Sequence, residues 1–319
     1  MGIENEDRKD ISKRELEKMA LKHLKGKTAI ITGANSGIGL EAMKVFINEG
    51  AAVIMAVRNE EKAQAEKNTI LAGHPEAKID IMHLDLADLS SVRTFAEEVK
   101  AKLPILDLLI NNAGVMTPPY SKTKDGFEMQ FGGNHLGHFA LTGLLLPLLL
   151  QTEGSRVVSL SSLAHKGAAI DFDNLDGSKG YKAMKFYGQS KLANLLFAQE
   201  LDKRLKQHGL PTISLACHPG ISATNLFKFG KSDAPGWMKT LMHRFLQPPA
   251  MGALPTVYAA VNPDLKGGEY IGPEGKGQRK GYPAIDTPHA SANNEAVSAK
   301  LWDVSEQLTG VTFSFSTSE

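Results

Sequence analysis

A single cysteine, Cys217, stands in a chain of 319 residues, so an internal disulfide is impossible and stability must come from the core. Cys217 lies in an apolar run and reads as buried filler, not as a nucleophile. An excess of charge of either sign is missing as well. The 36 Lys and Arg offset 35 Asp and Glu to a net of +1, without long runs of like charge, which offers nucleic acid or an anionic membrane surface nothing to bind. No stretch reaches the roughly 20 apolar residues of a spanning helix. The most apolar segment, 141–150, is short and holds Pro147. The first residues include Glu4, Glu6, Asp7 and Arg8 with no apolar signal core. A myristoylation motif on Gly2 would want Ser or Thr where Glu6 stands. These absences predict a cytoplasmic protein with no membrane span, acting on a small molecule.

What the chain does have is alternation. Thr28, Ala29, Ile30 and Ile31 form a short apolar, partly β-branched run, as in a buried parallel strand, and the glycines Gly33, Gly37 and Gly39 follow before a helical pattern begins. Ile38, Ala42, Val45 and Phe46 carry that helix to Gly50. Further strands are predicted at 51–57, 79–84, 105–110, 156–160 and 212–217, with helices at 63–71, 89–103, 126–150 and from Tyr187 onward. This rhythm predicts an α/β fold: one doubly wound Rossmann-type parallel sheet of about seven strands with helices on both faces. Residues 26–319 are read as a single domain. Residues 1–25 form either an amphipathic helix or a flexible lead-in. Residues 228–250, with an apolar stripe from Trp237 to Leu246, form either a lid over substrate or ordinary core, and 263–288 is Gly/Pro-rich and loop-like.

The glycine turn has two readings, a plain strand-to-helix turn or a phosphate cradle at a helix N-terminus. In the second, Gly33, Asn35, Ser36, Gly37, Ile38 and Gly39 surround a dinucleotide, and the tip of the second strand meets the adenine ribose about 20 residues on. That tip reads Ala56-Val57-Arg58-Asn59 with no acid at it. Arg58, with Asn59 beside it, therefore argues for NADP(H) over NAD(H). Asp85, next to Leu86, suits either the adenine amino group or the cap of the following helix. Small residues at Asn111-Asn112-Ala113-Gly114 let backbone approach a cofactor. Tyr187 and Lys191 are four apart on a helix, so phenol and ammonium share a face, and the cation should draw the phenol below its usual value of about 10. His135 and His138 have no Cys or carboxylate near them in the segment, so no metal site is expected.

Thr32 to Gly39 together with Asn111-Asn112-Ala113-Gly114, in that order, resembles the short-chain dehydrogenase/reductase family. The resemblance implies that Gly33 to Gly39, Asn112, Ala113 and Gly114 hold the dinucleotide. It makes Asn134 the active-site asparagine that holds a water, Ser162 (not Ser161) the serine bound to the substrate oxygen, Tyr187 the acid/base, and Lys191 its partner on the nicotinamide ribose. Pro219, Gly220 and Thr224 match the family's nicotinamide turn, although Ser222 stands where an apolar residue is usual. The long interval from Ser162 to Tyr187, with Asp171-Phe172-Asp173-Asn174-Leu175 inside it, resembles the retinol-dehydrogenase-like branch. No segment matches the membrane anchor of that branch's animal enzymes, which argues against a retinoid. The implied function is NADP(H)-dependent hydride transfer to or from an apolar alcohol or carbonyl. The alternatives are a catalytically silent dinucleotide-binding regulator, or an epimerase or tetrapyrrole reductase on the same fold. A homo-oligomer through the helices at 126–150 and 187–208 is a family expectation.

Overall fold

Residues 24–222 and 247–316 are described by a computed structural model. The central sheet is laid down as β1 (Thr28–Thr32), β2 (Ala52–Val57), β3 (Ile79–His83), β4 (Leu108–Asn111), β5 (Arg156–Leu160), β6 (Ile213–Cys217), β7 (Tyr270–Pro273) and β8 (Pro283–Asp286). In space the order is β3-β2-β1-β4-β5-β6-β7-β8. Neighbours are parallel as far as β7, and β8 joins antiparallel at the edge. The chain leaves β1 toward β3 on one side and returns to fill the other from β4. Between β1 and β4 the strand order reverses, which is where open α/β sheets bind ligands.

Alternation along each strand assigns side chains to the two faces. Ile30 sits in register with Ile54 and Leu109, and with Val157 these residues pack against Val92 and Phe95 of α3 (Leu89–Lys102) and Phe139 of α4 (Gly137–Leu150). Ala29, Ile31, Val53 and Val158 point the other way, onto Met43 and Phe46 of α1 (Gly37–Asn48) and Val257 of α6 (Pro249–Val261). Between these come α2 (Glu60–Gly73) and the long α5 (Ala183–Gln207), and the described chain closes with α7 (Glu295–Thr309). Trp302 of α7 lies 5.2 Å from the Phe139 ring and 5.9 Å from Phe197. Trp302 of α7 thus covers part of one face of the two helices named above for self-association.

Four expectations are corrected. The fourth strand starts at Leu108, not at Ile105: the Leu106 amide donates to the Leu148 carbonyl of α4, outside the sheet, and the Asp107 amide to the Thr28 carbonyl at the start of β1. The helix expected over 126–150 begins at Phe131. Its first stretch, Phe131–Leu136, is a π-helix, and Gly126 is in a turn with φ +88°. The segment 263–288 contains two strands; at a sheet edge, the pairing of Pro273 with Pro283 removes no interior ladder bond. The cap of α3 is Asp88, whose carboxylate accepts from the Ser90 amide at 2.9 Å, so Asp85 is not the cap. Among the described residues one helical run, Phe131–Leu150, is long and apolar enough to cross a membrane, and 83% of it is buried in the fold. The expected helix in 1–25 and the stripe from Trp237 to Leu246 lie outside the described residues, as does Thr224.

Candidate active site

A cleft of about 400 Å³ opens at the C-terminal ends of β1, β2 and β4. Gly33, Asn35, Ser36, Gly37, Ile38 and Gly39 line one wall, Arg58 and Asn59 an end, and Asp85, Leu86, Asn112, Ala113 and Gly114 the other side. Gly33 turns the chain with φ +68°. A Cβ on Gly39 would lie 2.5 Å from the Asn112 amide nitrogen and 2.8 Å from the Gly33 carbonyl, so only glycine lets α1 close on the turn. The Ser36 side chain does not cap α1 and no acid lies in its first turn, which leaves first-turn amides available at the cleft.

Thr32 ties the two turns together. Its hydroxyl accepts from the amides of Asn112 and Ala113, both at 2.9 Å, and the Asn112 side chain donates to the Thr32 carbonyl at 2.8 Å. His138 completes the knot: Nδ1 lies 2.9 Å from the Asn134 carbonyl and therefore donates, so Nε2 accepts from Thr32 at 2.9 Å. Complete burial pushes His138 down to about 4 and His135 to about 3, as expected of neutral core histidines.

At the second strand's tip Arg58 is exposed and has no hydrogen bond or ion pair among the described residues. Asn59 caps α2 by accepting from the Lys62 amide at 2.7 Å. Glu60 faces His83 across 3.3 Å. The Asp85 carboxylate accepts from the Ala87 amide at 2.9 Å while still lining the cleft.

The reactive-looking groups gather past the end of β5. Leu160 belongs to the cleft wall, and its carbonyl accepts from Lys191 Nζ at 3.0 Å. Ser161 turns inward and donates to the Lys191 carbonyl at 2.8 Å. Ser162 does not share that contact: its hydroxyl accepts from the Ala164 amide at 3.2 Å and lies near enough to the Tyr187 phenol to favour its ionised form. This separates two serines that alternation alone could not rank. Burial raises the Tyr187 phenol above its ordinary value, only partly opposed by Ser162. Lys191 does not achieve the expected lowering: Nζ sits 5.8 Å from the Tyr187 ring centroid, and burial drives the ammonium itself down to about 8. Gly114 brings the halves together, since a Cβ there would lie 3.2 Å from Asn134 Oδ1 and 3.4 Å from Lys191 Nζ. Asn134 Oδ1 accepts from the Val115 amide at 2.8 Å, and Nδ2 donates to the Val115 carbonyl and to Ser190.

With this geometry in view, a family model described as short chain dehydrogenase matches residues 27–234. The chain belongs to the short-chain dehydrogenase family. Mouse retinol dehydrogenase 11 is 43% identical over 292 residues, covering 90% of this chain and 88% of the relative. A chloroplastic short-chain dehydrogenase from Brassica napus, TIC 32 B, is 41% identical, covering 90% and 89%. The crystal structure of an uncharacterized protein from Mycobacterium paratuberculosis superposes with a TM-score of 0.77 at 41% identity, covering 92% of this chain and 98% of that one. A short-chain dehydrogenase from Shigella flexneri complexed with NADP gives 0.60 at 25% identity, covering 78% and 98%. This dehydrogenase is thus an NAD(P)-dependent oxidoreductase of the retinol-dehydrogenase-like branch.

Of the residues expected at the dehydrogenase's site, Gly33, Asn35 to Gly39, Arg58, Asn59, Asp85, Leu86, Asn112, Ala113, Gly114 and Asn134 share the cleft. Ser162, Tyr187 and Lys191 cluster beyond Leu160, and Pro219 and Gly220 form the turn after β6. Sequence reasoning missed Val115, which grips Asn134 through its backbone, and Met129 and Gly133, which also line the cleft. The first follows directly on Gly114. Gly133 lies within the π-helix, which a 3.6-residue period does not reveal, and Met129 stands two residues before it.

Proposed function

We propose that this dehydrogenase transfers hydride between NADP(H) and an apolar alcohol or carbonyl substrate, with Tyr187 as general acid/base. The observation that carries the reading is the gathering of Ser162, Tyr187 and Lys191 against Leu160, a residue of the cleft wall. The residues fit the dinucleotide: uncapped amides at the N-terminus of α1 suit a pyrophosphate, and the exposed Arg58 suits a 2′-phosphate. Asn112 to Gly114 would hold the adenosine half, and Pro219 and Gly220 the nicotinamide. When bound, the cofactor supplies or accepts the hydride.

The protein's own groups handle the proton. In reduction the Tyr187 hydroxyl donates its proton to the substrate carbonyl oxygen, and in oxidation the phenolate takes the proton of the substrate hydroxyl. Burial keeps this phenol protonated at neutral pH, which suits the reductive direction. Ser162 hydrogen-bonds the same substrate oxygen and fixes its orientation. Lys191, held at about 8, stays mostly charged at pH 7 and binds the nicotinamide ribose. We assign Asn134 to positioning, because its amide is engaged with Val115 and Ser190.

An apolar substrate is supported by Val115, 38% exposed on the cleft, and Met184, 59% exposed one turn before Tyr187. Relatives bear the name of retinol, a bulky apolar alcohol. The test is a panel of aldehydes, ketones and alcohols with NADPH and NADP, followed at the nicotinamide absorbance. Tyr187→Phe should abolish turnover of any substrate found while NADPH still binds. Turnover by Tyr187→Phe would remove the phenol from the mechanism, and silence of the wild type across the panel would favour a dinucleotide-binding regulator.

A further inference from the structure

Two buried histidines outside the proton chemistry flank the site, and their partners leave each ring one possible neutral tautomer. His218 follows β6 and is fully buried. Its Nδ1 faces the Gly220 amide at 3.2 Å and its Nε2 faces Asp286 Oδ2 at 3.0 Å. A backbone N–H only donates and a carboxylate only accepts, so Nδ1 is bare and Nε2 carries the proton. His165 is fully buried too, with the opposite arrangement. Nδ1 lies 2.6 Å from the Ser162 carbonyl and must donate, while Nε2 accepts from the His289 amide at 3.2 Å.

We propose that His218 and His165 are positioning residues that carry the Pro219-Gly220 turn and the Ser162 loop, both anchored to the chain segment from Asp286 to His289. This rests on the reading of Gly220 and Ser162 as the nicotinamide and substrate ends of the site. The anchor is one short piece of chain at the end of the edge strand β8. Tyr270 of β7 stands between the imidazoles, its ring 5.2 Å from His165 and 5.0 Å from His218, and its hydroxyl lies 3.3 Å from His165 Nδ1, where it can accept a share of the same N–H, so one side chain touches both rings. A Cβ on Gly272 would overlap the His218 ring, so the glycine of β7 is what lets the imidazole reach Asp286. Burial pushes both histidines below their ordinary value, which keeps them in the neutral forms this arrangement needs.

Two measurements test the pair. In protein labelled with ¹⁵N-histidine at pH 7, long-range ¹H–¹⁵N spectra should show His218 as the Nε2–H tautomer and His165 as the Nδ1–H tautomer, assigned by loss of the signals in His218→Asn and His165→Asn. Asp286→Leu, which removes the acceptor of the Nε2 proton, should weaken NADPH about tenfold by nicotinamide fluorescence titration and raise its KM in parallel, about 1.4 kcal/mol. Asp286→Asn, whose side-chain oxygen can still accept, should restore NADPH affinity to near the wild-type value. The proposal is overturned if either histidine shows the other tautomer. It is overturned equally if Asp286→Leu binds NADPH as the wild type does, or if Asp286→Leu and Asp286→Asn lose affinity alike. Should the wild type itself neither bind NADPH nor turn over any substrate, the reading of the site fails, while the tautomers still decide whether the rings are held as described.

Discussion

Removing the guanidinium at position 58 should change cofactor choice and leave the fold alone. Arg58 follows directly on β2, is exposed, lines the cleft, and has no hydrogen bond or ion pair among the described residues. Its neighbour Asn59 carries the α2 cap, so truncation at 58 leaves that cap intact. Stability should therefore stay within about 0.5 kcal/mol, as for surface changes away from special features. A charge-assisted hydrogen bond to a phosphate is worth roughly 1.5–3 kcal/mol, about 10- to 150-fold in a dissociation constant. NADH has no 2′-phosphate, so its binding should change little. Arg58→Ala should thus lower the preference for NADPH over NADH by about one to two orders of magnitude. Titration of both cofactors by nicotinamide fluorescence, at two ionic strengths because an exposed ion pair is screened by salt, reads this directly. Arg58→Lys should fall between, since an ammonium lacks the planar fork. Equal losses for NADPH and NADH, or an unchanged ratio, would mean that Arg58 does not face the 2′-phosphate and that the choice is made elsewhere.

The pH dependence of turnover follows from the raised Tyr187 phenol. Oxidation needs the phenolate, so its rate should climb with pH through neutrality toward the ordinary phenol value of about 10, whereas reduction, which needs the phenol, should hold steady from pH 6 to 7 and fall only as Lys191 loses its charge near 8; an oxidation plateau near pH 7 would show that the bound state reverses the effect of burial. Gly39→Ala gains about 1 kcal/mol in helix propensity but drives a methyl to 2.5 Å from the Asn112 amide, which also holds Thr32. Overpacking of roughly 1–3 kcal/mol should win, giving a lower urea midpoint and weaker NADPH binding, and an unchanged midpoint would show that the turn opens freely.

What the sequence disclosed and what it withheld divide along a physical line. The strands were legible because a short continuous apolar run, such as Ala29-Ile30-Ile31, marks a strand buried on both faces, and the cofactor cleft was legible because glycine is required wherever backbone must approach backbone, as at Gly39. Both signals are local. The role of Asp85 was not decidable from position, because a carboxylate before a helix suits several amides, and Asp88 three residues later takes the cap. The phenol's direction of shift was misjudged for a related reason. The spacing of Tyr187 and Lys191 announces a shared face, but how far both are removed from water depends on Leu160, Gly114 and the rest of the fold around them, and that burial is the largest cause of shift for each group.

The edge strand makes the same argument at the scale of a whole element. Pro283, Gly272 and Pro273 are turn formers by local preference, and a run containing them reads as loop. Pro283 is tolerated because β8 lies at the edge of the sheet, and Gly272 of β7 must stay small under the His218 ring. Neither reason exists until β6, β7 and β8 are side by side. Gly272, among the residues least like a strand in composition, is thus what leaves room for the His218 ring beside Asp286 of β8.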